Sequence, residues 1–205
     1  MKKLFTVVMA LMISASVFAL DVKFDSISLH FAVPFCYENS ERTGSKVETT
    51  MTSIGFGFET ITLYTEHIGL YVNMDFFFPQ ALNVKTQYGT VKLKRSDYES
   101  LWGLTALMAP AIPIIFNEKM LFTVSPGIHV TALYTDTGIS TFSYYLGIGV
   151  NVQDSIFFTD KCYFTFGADI AYDFLGKMTS GDASFSGKTK DLVITPRIGI
   201  GFRFK

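Results

Sequence analysis

The sequence of 205 residues is poor in cysteine, in charge and in long apolar runs. It holds two cysteines, Cys36 and Cys162, too few for a disulfide scaffold. Charged residues make up 17 %, and a formal net charge of −1 gives nucleic acid no electrostatic footprint. Beyond the N-terminus the longest apolar stretch, Leu101 to Phe116, is interrupted by Gly103, Pro110 and Pro113. That argues against a spanning helix, which needs about 20 consecutive apolar residues. The sequence shows no metal-ligand spacing, phosphate loop or nucleotide motif, so neither a metal nor a cofactor is expected.

What is present is unusually greasy. Hydrophobic residues reach 49 %, aromatics 16 % with 21 Phe, and mean hydropathy is +0.32. An average secreted globular domain is more charged and less aromatic. Lys2 and Lys3 precede an apolar run from Leu4 to Ile13 and a small-residue exit, Ser14 to Ala19. This is the pattern of a secretory signal peptide cleaved after Ala19. The run is too short for a membrane anchor, and no cysteine follows the cut to carry a lipid. The expected organisation is a signal peptide over 1–19 and one domain over 20–205.

Side chains alternate between the two faces of a strand, and this chain alternates apolar and small or polar residues eight times. The final stretch sets Ile194, Pro196, Ile198, Ile200, Phe202 and Phe204 against Thr195, Arg197, Gly199, Gly201 and Arg203. Similar segments run over about Ser26–Tyr37, Thr50–Leu63, Ile68–Phe78, Leu101–Phe116, Leu121–Tyr134, Phe142–Gln153 and Cys162–Leu175. In the fourth, the even residues through Phe116 read as the outward set. Each segment is about 10 to 15 residues, which suits a tilted strand crossing a bilayer better than the short strands of soluble proteins. Long polar links (Glu38–Thr49, Pro79–Ser100, Gly176–Lys190, and the shorter Thr135–Thr141) alternate with tight ones (Tyr64–His67, Asn117–Met120, Asp154–Lys161). Lipid offers no hydrogen bonds, so every strand must find two partners and the sheet must close. The expected fold is all-β, an eight-stranded antiparallel up-and-down transmembrane β-barrel. Pro34, Pro110, Pro113, Pro126 and Pro196 should mark bulges or strand ends, since each removes a ladder donor.

Aromatics gather toward the segment ends. Phe35, Tyr37, Phe78, Trp102, Tyr134, Tyr144, Tyr172 and Phe174 lie toward the long links, and Tyr64, Phe116, Phe158, Phe164 and Phe204 toward the short ones. Two girdles are expected at the headgroup levels. The strand map puts Cys36 and Cys162 at opposite ends, beyond the roughly 7 Å a disulfide can span, so both read as free thiols.

On these residues the chain resembles the small eight-stranded outer-membrane barrels of the OmpX, OmpA-domain and OmpW type, and the small outer-membrane barrels of spirochaetes. The resemblance covers the whole mature chain and rests on architecture. One departure is the terminus, where Phe204 is penultimate and Lys205 last, while many such proteins end on an aromatic residue read by the barrel-insertion machinery. It implies a location in the cell outer membrane, with outer-membrane lipid and that machinery as partners.

An eight-stranded barrel has an interior just wide enough for side chains or one small ligand. Ten of the 16 glycines fall on the inward parity and leave room for Tyr71, Phe77, Tyr145, Arg197 and Arg203. The inward polar set comprises Glu59, Asp75, Asp169, Asp173, Arg197, Arg203, Tyr71, Tyr145, His30 and His129. A buried guanidinium needs carboxylates, and pairing the last hairpin about its loop places Asp169 and Asp173 near Arg197. The set reads either as a packed plug or as the lining of a narrow cavity. Of the candidates His30, His67 and His129, His129 shares a face with Ser125 but about 13 Å along the strand, and no acidic residue is visibly placed to orient His30 beside Ser28, so an enzyme is not expected. Val84 to Arg95 alternates and is expected to extend the barrel as a projecting hairpin, whose Lys85, Lys92, Lys94 and Arg95 mark either a solvated loop near anionic headgroups or a binding surface. The leading expectation is a passive surface barrel or a narrow pore for small or hydrophobic solutes. The alternative is an adhesin or ligand-binding protein acting on a host or envelope partner through its long loops, with a lipid-modifying enzyme third.

Overall fold

Antiparallel strands make up nearly all of the computed structural model, which describes residues 22–42, 45–181 and 183–204. The expected signal peptide lies outside the described residues. The strands are β1 (Phe24–Ala32), β2 (Phe35–Arg42), β3 (Ser45–Leu63), β4 (Gly69–Thr86), β5 (Gly89–Lys94), β6 (Ser100–Phe116), β7 (Met120–Asp136), β8 (Ser140–Phe157), β9 (Cys162–Ser180) and β10 (Ala183–Arg203). Eight of the alternating segments form the wall. The count rises to ten because the first strand breaks into β1 and β2 and because β5 belongs to a projecting hairpin.

Pairing runs in sequence order from β3 round to β10, and β1 then pairs with both β10 and β3. Ser26 lies opposite Arg203 on one side and Ile61 on the other. The wall therefore has no free edge at its first and last strands, as lipid requires.

The β1–β2 break falls at Val33–Pro34. Ala32↔Gly55 and Phe35↔Thr52 keep one register across it. The gap is stitched by the Val33 amide donating to the Pro196 carbonyl at 3.1 Å and the Ser53 amide donating to the Pro34 carbonyl at 2.9 Å. Proline interrupts the strand without opening the wall. On β6 and β7, Pro110 and Pro126 come opposite each other, and the ladder lapses between Met108↔Ile128 and Ile112↔Val124. The missing N–H donors account for the lapse.

Face assignment follows parity almost throughout. Leu29, Ile128, Ile148 and Ile198 are exposed by more than half, which places a broad apolar surface where lipid would lie. One parity is overturned. A bulge between Pro113 and Ile115 shifts the register, so Ile115 pairs with Phe122 and Phe116 with Leu121. Phe116, expected in the outer girdle, turns inward, with its ring 5.8 Å from Phe24. A bulge adds a residue and reverses which side chains face in.

The hairpin expected over Val84–Arg95 forms as β4–β5, and the other two longest links are not loops either. Glu38–Thr49 and Gly176–Lys190 fall largely within β-hairpins (β2–β3 and β9–β10), and Pro79–Ser100 folds as β4–β5 plus a short 3-10 turn, Arg95–Asp97. Polar composition hid the strands because, above the membrane, neither face needs to be greasy.

Candidate functional site: the lumen

Inward residues of β1, β3, β4, β8, β9 and β10 meet at mid-height around Arg197. Its Nη2 donates to Asp169 Oδ1, and its Nη1 lies 3.6 Å from Glu59 Oε2 and 3.9 Å from Asp75 Oδ2. Three carboxylates converge on one guanidinium, and all four side chains are almost wholly buried. Neutral donors satisfy the remaining oxygens. Ser28 Oγ and Gln153 Nε2 donate to Glu59 Oε1 at 2.7 and 2.6 Å, and the Tyr71 hydroxyl donates to Glu59 Oε2 at 3.2 Å. Asn73 Nδ2 bridges Asp75 Oδ2 (2.8 Å) and Asp169 Oδ2 (3.1 Å), and Asn151 Nδ2 donates to Asp169 Oδ1 at 2.9 Å. Buried charge needs pairing and hydrogen bonding of this kind; Arg197 Nη1 is held by charge alone and makes no hydrogen bond.

Two histidine–aspartate pairs flank this cluster. His30 Nε2 meets Asp75 Oδ1, and His129 Nδ1 lies 2.9 Å from Asp173 Oδ1, with Thr131 Oγ1 donating to Asp173 Oδ2 at 3.1 Å. This corrects the expectation that no carboxylate orients an imidazole. Activation of a nucleophile also needs a hydroxyl on the other ring nitrogen. The buried Nδ1 of His30 has no hydrogen-bond partner. Ser28, its neighbour on the same face, is committed to Glu59. His67 is exposed in the β3–β4 turn.

Asp173 does not join Arg197. The β9–β10 register sets Arg197 opposite Gly167 and Thr195 opposite Asp169, making Asp169 diagonal, while Asp173 faces Asp191 further up. The misplacement came from pairing the hairpin about a long loop it does not have. Asp191 and Glu38 join Asp173 near the long-link end. There Cys36 Sγ donates to Asp191 Oδ1 at 2.9 Å and the Tyr145 hydroxyl to Glu38 Oε2 at 3.5 Å. Cys36 and Cys162 are both free, one opposite Val193 and the other opposite Phe202 on β10.

Arg203 lies at the short-turn end of the barrel, against aromatic rings. Its guanidinium lies 5.3 Å from the Phe24 ring centroid and 6.0 Å from that of Phe157. Phe24, Phe116 and Phe157 meet edge to face over buried Ile61, Leu63, Leu107 and Leu121, filling the short-turn end with apolar side chains. Of the link cations, Lys85 Nζ reaches Glu48 Oε2 at 3.2 Å, Lys92 and Lys94 are exposed on β5, and Arg95 lies 5.5 Å over the Phe78 ring.

Parity found Glu59, Asp75, Asp169, Asp173 and Arg197 but missed the acids Glu38 and Asp191, and it did not identify Asn73, Asn151, Gln153 and Thr131 as partners. Alternation marks an inward face, while the height at which residues of distant strands meet depends on how the strands stagger around the barrel.

No protein-family model and no curated protein sequence matches the chain. Among solved structures, the outer membrane protein OprG from Pseudomonas aeruginosa superposes with a TM-score of 0.64 at 13 % identity, covering 90 % of this chain and 97 % of that one. The outer membrane protein AlkL in lipid bilayers gives 0.56 at 15 % identity, with 90 % and 92 % covered. Neisserial surface protein A gives 0.53 at 10 % identity, with 87 % and 96 % covered. At such identities the likeness concerns fold alone, and the chain has the fold of the small eight-stranded outer-membrane β-barrels.

Proposed function

We propose that this chain is an integral outer-membrane protein with a sealed lumen, a passive structural barrel that carries ordered hairpins beyond the membrane. The observation that supports this is the filling of the interior. Arg197 and its three carboxylates occupy mid-height, and the Phe24–Phe116–Phe157 cluster occupies the short-turn end. Water cannot pass a dry aromatic cluster without displacing it. Planar-bilayer recording of the purified protein tests the reading. Silence is expected, whereas stable single-channel steps would overturn it in favour of a narrow pore. Release from membranes should require detergent, and extraction by salt alone would overturn the membrane assignment.

A second reading, adhesion or ligand binding through the hairpins, draws on the exposure of Tyr88 (89 %) and Val91 (56 %) near the β4–β5 tip and Ile139 (65 %) in the β7–β8 turn. Apolar side chains held out on ordered strands suit a protein partner. Lipid-modifying catalysis stays third, because no hydroxyl bonds the free ring nitrogen of His30 in the His30–Asp75 pair.

A further inference from the structure

Among the lumen oxygens without a hydrogen-bond partner are Asn73 Oδ1, Asn151 Oδ1, Ser125 Oγ and Thr123 Oγ1, and all of these residues are fully buried. Ser125 lies opposite Asn151, and Thr123 opposite Gln153, on the β7–β8 pair. Asn73 meets them from β4, because its amide and that of Asn151 both donate to Asp169. A carboxylate only accepts hydrogen bonds. Asp75 and Asp169 therefore hold each amide with Nδ2 toward them and Oδ1 turned away.

The charge beside these oxygens does not balance. Glu59, Asp75 and Asp169 bring three carboxylates, against the one cation of Arg197 and at most one more from His30. His129 is matched by Asp173, and Arg203 lies about 20 Å along β10 from Arg197, over the Phe24 and Phe157 rings. At least one negative charge is left in excess among buried side chains, which is costly. Water bonded to the amide and hydroxyl oxygens satisfies them and leaves the charge, whereas a small cation answers both. We infer that Asn73, Asn151 and Ser125 bind one monovalent alkali cation beside Asp169. Hard cations take oxygen ligands. Each oxygen of Glu59, Asp75 and Asp169 is already bonded within the network, so the donors left over are neutral oxygens. Among the described residues no three acidic, histidine or cysteine side chains are grouped to hold a metal ion, which sets aside a divalent ion held by carboxylates.

A cation bound only by the folded barrel stabilises it by mass action. The protein in phosphatidylcholine vesicles is unfolded with urea in sodium chloride or in choline chloride at equal ionic strength, which holds screening constant. Choline is too bulky to lie among these buried side chains. The midpoint should rise with sodium and stay level with choline. Asp169→Asn removes the excess charge and should abolish the difference. Ser125→Ala removes one oxygen and should move the half-effect to severalfold higher sodium. Ser143→Ala, further up β8, should leave it unchanged. Heat-modifiable migration reports folding of each variant, and the mild Ser125→Ala change carries the test where Asp169→Asn does not fold. Equal midpoints in the two salts overturn the site, the oxygens then holding water or a carboxylate its proton. A sodium effect that persists unaltered in both variants overturns it as well. Failure here leaves the sealed barrel standing, while single-channel steps with an intact sodium effect remove the sealed barrel alone.

Discussion

Arg197 and Asp169 form an ion pair across β9 and β10 in the middle of the lumen, their side chains 3 % and 4 % exposed. Glu59 and Asp75 complete the cluster from strands on the far side of the barrel. The pair thus ties the last hairpin to β3 and β4 through the interior as well as through the wall.

Replacing Arg197 by Met should strip the cation from three buried carboxylates and destabilise the barrel by about 3–5 kcal/mol. Urea unfolding in lipid vesicles measures this, and adding Asp169→Asn should recover part of the loss. An unchanged midpoint for Arg197→Met would remove the cluster from any stabilising role.

Gly57 is held small by the histidine pair. A Cβ there would lie 2.2 Å from Asp75 Oδ1, 2.4 Å from the Met74 carbonyl oxygen and 2.7 Å from His30 Nε2. Gly57→Ala should cost about 1–3 kcal/mol by overpacking and displace the His30–Asp75 contact. The unfolding midpoint and the His30 ring ¹⁵N shifts report the two effects, and a variant with both unaltered would show that the interior has slack.

Trp102 is the single tryptophan of the sequence, stacked on Tyr134 at 5.6 Å in the long-link girdle. Its emission should be quenched more strongly by a lipid carrying the quencher near the headgroup than by one carrying it at the acyl terminus. The reverse depth order would displace the girdle from the interface.

Glu48, partly exposed on the β3 projection, has its carboxyl pKa lowered by hydrogen bonds from Lys46 and then Lys85. The lowered folded value means that its contribution to hairpin order is present above the ordinary carboxylate range and is lost as pH falls through the depressed value. Carboxyl ¹³C titration should show Glu48 below an ordinary glutamate, and Lys46→Ala with Lys85→Ala should return it upward. Titration at the ordinary value in the parent protein would dissolve the bridge.

The lipid-facing surface was legible residue by residue because the bilayer imposes a period of two on each strand. Leu29, Ile128, Ile148 and Ile198 lie where parity put them. Phe116 does not, since the bulge at Pro113–Ile115 reversed its face, and the prolines signalled a bulge without saying which side chain would turn. The β9–β10 hairpin read as a loop because its sequence is polar and carries no alternation, whereas the alternation of Val84–Arg95 did point to the β4–β5 hairpin.

Away from the Pro113–Ile115 bulge, sequence alone determined the inward and outward faces, together with the need for a wall without free edges, because both follow from local alternation and from the lack of hydrogen-bonding partners in lipid. Tertiary structure alone decided which inward groups meet. Arg197 draws together Asp169, Glu59 and Asp75, while Asp173 pairs with His129 and Arg203 lies over Phe24. These meetings depend on the stagger of strands around the barrel, a closure condition on the whole sheet that no single strand carries in its own pattern.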